Sequence, residues 1–207
     1  MRTHWLDDLN RWSTPVMANL LWVVLSLPVL TIPLALVGLL AVMFRWMDER
    51  DSAVFATFFG TIRRVWLKCY LLAGLNLLLG ILVYFNLLLF QVMDMTDILA
   101  FLSRSVTFYF AILLIIFNIY AWTLLAVWDK PLKHIMKFSL QLLFAQPIWS
   151  IIIAIAVITP LIVTTIMPVA LFVTVTGAVS AYIACRGTWF VVTKYISPQE
   201  FTWIQLG

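Results

Sequence analysis

Side chains able to do chemistry are few in this chain, and they are scattered. The only histidines are His4 and His134. Cys69 and Cys185 form no CxxC pair and no cluster with histidine, which argues against zinc and dithiol motifs. No Ser-His-Asp or Cys-His set can be assembled at one depth of the apolar runs. No Gly-rich phosphate loop is present. Asp94 and Asp97, with Arg104 nearby, supply two carboxylates, too few to hold a cation. The residues thus predict no enzyme, no metal site and no cofactor.

Uncharged polar residues within apolar stretches carry more. Asn76, Asn86, Gln91 and Asn118 suit hydrogen bonds between helices, worth about 0.6 kcal/mol each in lipid. No Asp, Glu, Lys, Arg or His lies well inside an apolar run, which disfavours an ion-coupled pump. Asn19 and Trp22 precede Pro28, Thr31 and Pro33 in the first run. Proline removes a donor, so Pro28 orphans the carbonyl of Val24 and Pro33 that of Val29. Ser26, Thr31 or a neighbouring Asn are the expected partners. Two readings follow: a broken helix lining a solute site, or a proline-kinked packing helix, favoured because such kinks are common. Thr176, Gly177, Ser180, Ala181 and Ala184 form a small-residue face that permits close helix contact. Contact within one bundle and contact with another subunit both fit.

These residues are positioned by helices in lipid. Of 207 residues, 64% are hydrophobic and 11% charged, against roughly 25% charged in a soluble domain. A globule of this size cannot hide that excess. Residues 12–44, 69–93 and 105–128 lack Asp, Glu, Lys and Arg, and 138–185 is a fourth such run, long enough for two helices. One helix of about 20 residues crosses a core of about 30 Å. Pro160 and Pro168 bracket a tight reversal. The fold class predicted is an all-α integral membrane protein, a single membrane domain over 1–207 with about five transmembrane helices near 16–44, 66–92, 105–128, 146–164 and 168–193. Thr14 and Pro15 are expected to cap and start the first. It is too long for a signal peptide.

Short amphipathic interfacial helices are predicted outside the spans. Residues 3–13 set Trp5, Leu9 and Trp12 opposite Asp7, Asp8 and Arg11. Residues 53–66 align Phe55, Phe58, Phe59, Ile62 and Trp66, with Asp51 or Ser52 as cap. Residues 130–143 start at Asp129 and Pro131. Such faces fit the lipid interface or a partner. Phe58, Phe59, Arg63, Arg64, Lys68 and Lys133 form the candidate cytoplasmic partner surface. With the N-terminus outside, ten of the thirteen basic residues lie on the inner side, the positive-inside bias. That orientation leaves the C-terminus in the cytoplasm. Trp46, Trp66, Trp128, Trp149 and Trp189 sit near inner ends, as indoles prefer headgroup level. Trp22 and Trp122 lie deeper. Basic residues form no continuous stripe, so nucleic acid is not expected. Span, basic helix, span occurs twice, a weak repeat signal.

The pattern Asn19-x-x-Trp22-x5-Pro28-Val29-x-Thr31-Ile32 resembles the signature of the YesL family. So do Phe58-Phe59, the basic run Arg63–Lys68 and Ala145-Gln146-Pro147. YesL-like proteins are bacterial membrane proteins that often accompany carbohydrate ABC importers. The resemblance implies a non-enzymatic accessory subunit in the bacterial cytoplasmic membrane, with lipid and ABC permease subunits as partners. It implies no binding or catalytic residue. The alternatives are a stand-alone facilitator of a small neutral solute, using the Pro28–Pro33 break and the buried amides, and a membrane sensor or assembly factor.

Overall fold

The computed structural model describes residues 3–48, 53–92, 98–166 and 172–196. The Asp51/Ser52 cap, the Asp94–Asp97 pair, Pro168 and the side chains of Gln91, His4 and the 3–12 face lie outside the described residues. All regular elements among the described residues are helical: α1 Thr3–Ser26, α2 Ile32–Met47, α3 Val54–Val92, α4 Ile98–Val127, α5 Leu132–Ala145, α6 Pro147–Val163 and α7 Gly177–Val192. A 3₁₀ turn, Val29–Thr31, joins α1 to α2, and a π-helical turn, Phe172–Thr176, leads into α7. Val29–Met47, Val54–Leu89, Phe101–Val127 and Thr174–Val192 are each long and apolar enough to cross a membrane. A fifth crossing arises if α5 and α6, bent by 106° at their junction, act as one span. Pro147, with no N–H to continue α5, begins α6 at that bend.

The first run differs from the single span expected over 16–44. It is divided at Leu27–Thr31, and α2 lies alongside α1. Trp22, near the end of α1, and Leu36, near the start of α2, line the same cavity. The two prolines supply the reason. Pro28 cannot donate to Val24, so Leu27 N–H does, at 3.3 Å, in a tighter turn. Pro33 cannot donate to Val29, whose carbonyl takes the N–H of Ile32 instead. Thr14-Pro15 also departs from expectation: α1 already begins at Thr3, and Pro15 sits inside it.

Helix α2 is the hub, packing against α1, α3, α4 and α7. It buries Ala35 and the unbroken run Val37–Phe44. Lipid offers no hydrophobic drive for helices to associate, so close packing must do it. At Gly38 an added Cβ would stand 2.8 Å from the ring of Phe58. Only a hydrogen leaves room for that ring.

The amphipathic 53–66 segment and the second span are one continuous helix, α3, of 39 residues. No proline interrupts it. Along its first half only one stripe is buried: Val54, Thr57, Phe58, Thr61, Val65, Cys69 and Leu72. Their spacing, at i, i+3, i+4 and i+7 and then in steps of three or four residues, traces one helix face. Leu71, Leu77, Leu78, Leu82, Phe85 and Leu89 face outward. Pro160 also sits within a helix, because α6 runs on to Val163 before the chain turns at Thr164–Ile166.

Candidate functional site

Asn19, Asn76 and Asn118, three of the amides in the apolar runs, anchor contacts in two places. In the first, Asn19 is fully buried and its Oδ1 accepts the backbone N–H of Ala178 at 2.8 Å. That N–H belongs to the first turn of α7, where helix donors lack intrahelical partners. Gly177 makes the approach feasible. A Cβ there would lie 2.5 Å from Asn19 Oδ1 and 2.7 Å from the Trp22 indole. Asn19 and Gly177, far apart in sequence, thus join α1 to α7.

In the second place, Asn118 Oδ1 accepts from Asn76 Nδ2 at 2.6 Å and from Trp122 Nε1 at 2.9 Å. Asn118 Nδ2 donates to Leu114 O at 2.8 Å. This cluster ties α3 to α4 and holds the Trp122 ring in place. Nearby, Tyr120 Oη and Ser150 Oγ lie 2.8 Å apart, linking α4 to α6.

Between these two clusters lies a cavity of about 350 Å³. Trp22, Leu36 and Leu40 form one wall, Trp122 a second, and Ser180 and Ala181 a third. Val157 and Leu161 of α6 complete it. The depth of the two tryptophans is thereby explained: each lines this space instead of the headgroup region. Apart from Asn118, Thr123 and Ser180, its non-indole side chains are hydrocarbon. Cavity sites of this kind recognise an apolar body by shape and orient it with few polar groups.

The sequence-derived sites fall as follows. Thr176, Gly177, Ser180, Ala181 and Ala184 are all buried within this chain. Thr31 Oγ1 lies against the carbonyl of Leu25 and 2.7 Å from that of Pro28, bracing the turn. Leu27, Val29 and Leu30 are each at least 75% exposed, so the Pro28–Pro33 turn is a protruding tip. It does not contribute to the cavity wall or to the Asn76–Asn118 pair.

On the basic side, one expected surface residue moves. Phe58 is fully buried under Gly38 and offers nothing to a partner. The heptad-like stripe of α3 turns it inward while Phe55, Phe59, Arg63, Arg64 and Trp66 point out. Lys133 is exposed, and Lys68 is half-buried, donating to Lys130 O at 3.1 Å and lying 4.0 Å from Asp129. Arg45 Nη1 donates to Thr57 Oγ1 at 3.2 Å. Lys194 Nζ sits 4.5 Å from the Phe190 ring centre and 5.3 Å from that of Trp149. Both cysteines are buried free thiols. Among the described residues, no three His, Cys, Asp or Glu side chains converge on one point.

Residues 16–87 match a family described as "Protein of unknown function, DUF624". The DUF624 match covers the second half of α1, all of α2 and most of α3. It therefore includes Asn19, Trp22 and the reversal, and stops short of the α4, α6 and α7 walls. No curated protein and no solved structure matches the chain. The cavity itself had no direct sequence signal. Two deep tryptophans, away from the headgroup level indoles prefer, were its trace.

Proposed function

We propose that this chain is a non-enzymatic accessory subunit of a bacterial carbohydrate ABC importer, seated in the cytoplasmic membrane and packed against a permease. The observation that carries this reading is the outward face of α3. A helix of 39 residues is about 58 Å long, nearly twice a hydrocarbon core of about 30 Å. Yet large apolar side chains point outward along its whole length, from Phe55, Phe59, Trp66 and Leu67 to Leu82 and Leu89. An upright α3 cannot keep both halves in hydrocarbon. The first half, with Arg63 and Arg64 beside its aromatics, suits the cytoplasmic edge of a partner. The choice of partner class rests on the resemblance to YesL-like proteins alone, because the family matched over residues 16–87 has no described function.

Photocrosslinkers placed at Phe59, Arg63 and Leu67 in native membranes test the proposal. Crosslinks to a permease subunit are expected. Crosslinks to lipid and to further copies of the chain alone would reject it. The facilitator alternative draws no support from the cavity, whose hydrocarbon walls offer a polyol few hydrogen-bond partners.

The orientation that fits best has both ends in the cytoplasm. A single span over 16–44 would put the N-terminus outside. With α1 and α2 side by side, the N-terminal segment shares a side with Arg45. Twelve of the thirteen basic residues then fall inside, leaving Arg104, which accords better with the positive-inside rule.

A further inference from the structure

One feature of the cavity is unexplained by helix packing. Serine and threonine hydroxyls inside helices commonly donate to the carbonyl one turn back. Ser105, Thr107, Thr123, Ser139, Ser150 and Thr159 do so here, at 2.7 to 2.9 Å. Ser180 does not. It is 7% exposed, its Oγ is buried with no partner, and it lies on the cavity wall. The carbonyl one turn back belongs to Thr176, the last residue of the π-helical turn. Such turns are frequent at functional sites. The other hydroxyl and amide on the wall are already engaged, Thr123 with Ile119 and Asn118 with its three partners.

We infer that this cavity binds the acyl part of an amphiphile, an aliphatic chain bearing one carbonyl that accepts a hydrogen bond from Ser180 Oγ. The walls ask for hydrocarbon, and the orphan hydroxyl asks for one acceptor. An alcohol would bring a proton needing an acceptor of its own; a carbonyl brings none. A cavity of 150 Å³ holds benzene, so by proportion one of about 350 Å³ holds roughly a dozen heavy atoms. A decanoyl group is of that size. Its source is either one chain of a membrane phospholipid or a free fatty acyl compound, which share this chemistry.

Trp22 and Trp122 in the wall make binding visible. The purified full chain in micelles is titrated with dibrominated methyl decanoate, which quenches nearby indoles, and with dibromodecane, which lacks the carbonyl. Saturable quenching by the ester is expected, with that component absent in the Trp22→Phe/Trp122→Phe variant. Ser180→Ala should weaken the ester by about five- to ten-fold, the effect of one hydrogen bond, and leave dibromodecane unchanged. Because Ser180 has no internal partner, the alanine variant keeps the fold. Ala181→Phe should abolish saturation by filling the space. Strong quenching in nanodiscs of brominated phospholipid would identify the membrane lipid as the source; its absence beside saturation by the ester would identify the free compound. Equal affinity for ester and alkane, or an unaltered Ser180→Ala variant, overturns the assignment.

Discussion

Four glycines allow the packing to be tested one methyl group at a time. At Gly177 and Gly38 an added Cβ would come within 2.5 and 2.8 Å of neighbouring side chains, whereas at Gly74 and Gly80 nothing stands within 4 Å. Gly177→Ala and Gly38→Ala should each cost about 1–3 kcal/mol, the usual penalty for overpacking. Gly74→Ala and Gly80→Ala should be neutral or gain up to about 1 kcal/mol, since alanine is the better helix former. Unfolding of purified variants in mixed micelles separates the two classes, and a uniform response would mean the close contacts are absent. Asn19→Leu strips the Ala178 N–H of its acceptor. A loss of about 1–3 kcal/mol is expected for a donor left unsatisfied, and Asn19→Asp should retain more stability than Asn19→Leu. At this scale the sequence was partly legible. Asn19, Trp22 and Gly177 stand out by type, but nothing local says that they meet. Ser180 read as one more small residue, because a missing hydrogen bond is invisible until the carbonyl before it is located.

Elements were legible where composition alone decides them and less so at their ends. Long uncharged runs demand helices in lipid, and among the described residues every regular element is a helix. The joints were harder. Two prolines five residues apart can kink a helix or reverse it, and the local sequence is compatible with both. The reversal follows because tight backbone bonds satisfy the orphaned carbonyls and Thr31 braces the turn. Thr31→Val keeps the side-chain shape and removes that brace, so the tip should loosen by about 1 kcal/mol, the net worth of one hydrogen bond. Hydrogen exchange at Leu27 and Thr31 amides, faster in the variant while α4 is unchanged, is the expected result. Equal protection would show that the backbone turn stands without the hydroxyl. The junction of the 53–66 segment with the second span was misplaced for the opposite reason. A change from amphipathic to uniformly apolar composition resembles a boundary, yet no residue there interrupts backbone bonding, so α3 continues through it.

For the molecule as a whole, one reversal changes the parity of every crossing before it and of none after it. Whether α1 reaches the far headgroups or turns back short of them, its first residues and the last residues of α2 must share a side. The basic residues give an independent criterion. Moving Arg2 and Arg11 inward leaves Arg104 as the outer exception, whereas the single-span threading strands three of thirteen outside. Inward-facing basic loops are the strongest determinant of orientation in short-loop membrane proteins. A phosphatase reporter that is active only in the periplasm should therefore be silent when fused before Thr3 and equally silent after Ile196. It should be active when inserted between Val92 and Ile98. Single cysteines offer a milder check: Val29→Cys at the exposed tip should react with a membrane-impermeant thiol reagent in intact cells, and Ser13→Cys should react only after lysis. The two native thiols are buried and should stay silent in both conditions. Labelling of Ser13→Cys from outside would show that α1 enters from the periplasm, which an antiparallel α1–α2 pair with a cytoplasmic Arg45 does not permit.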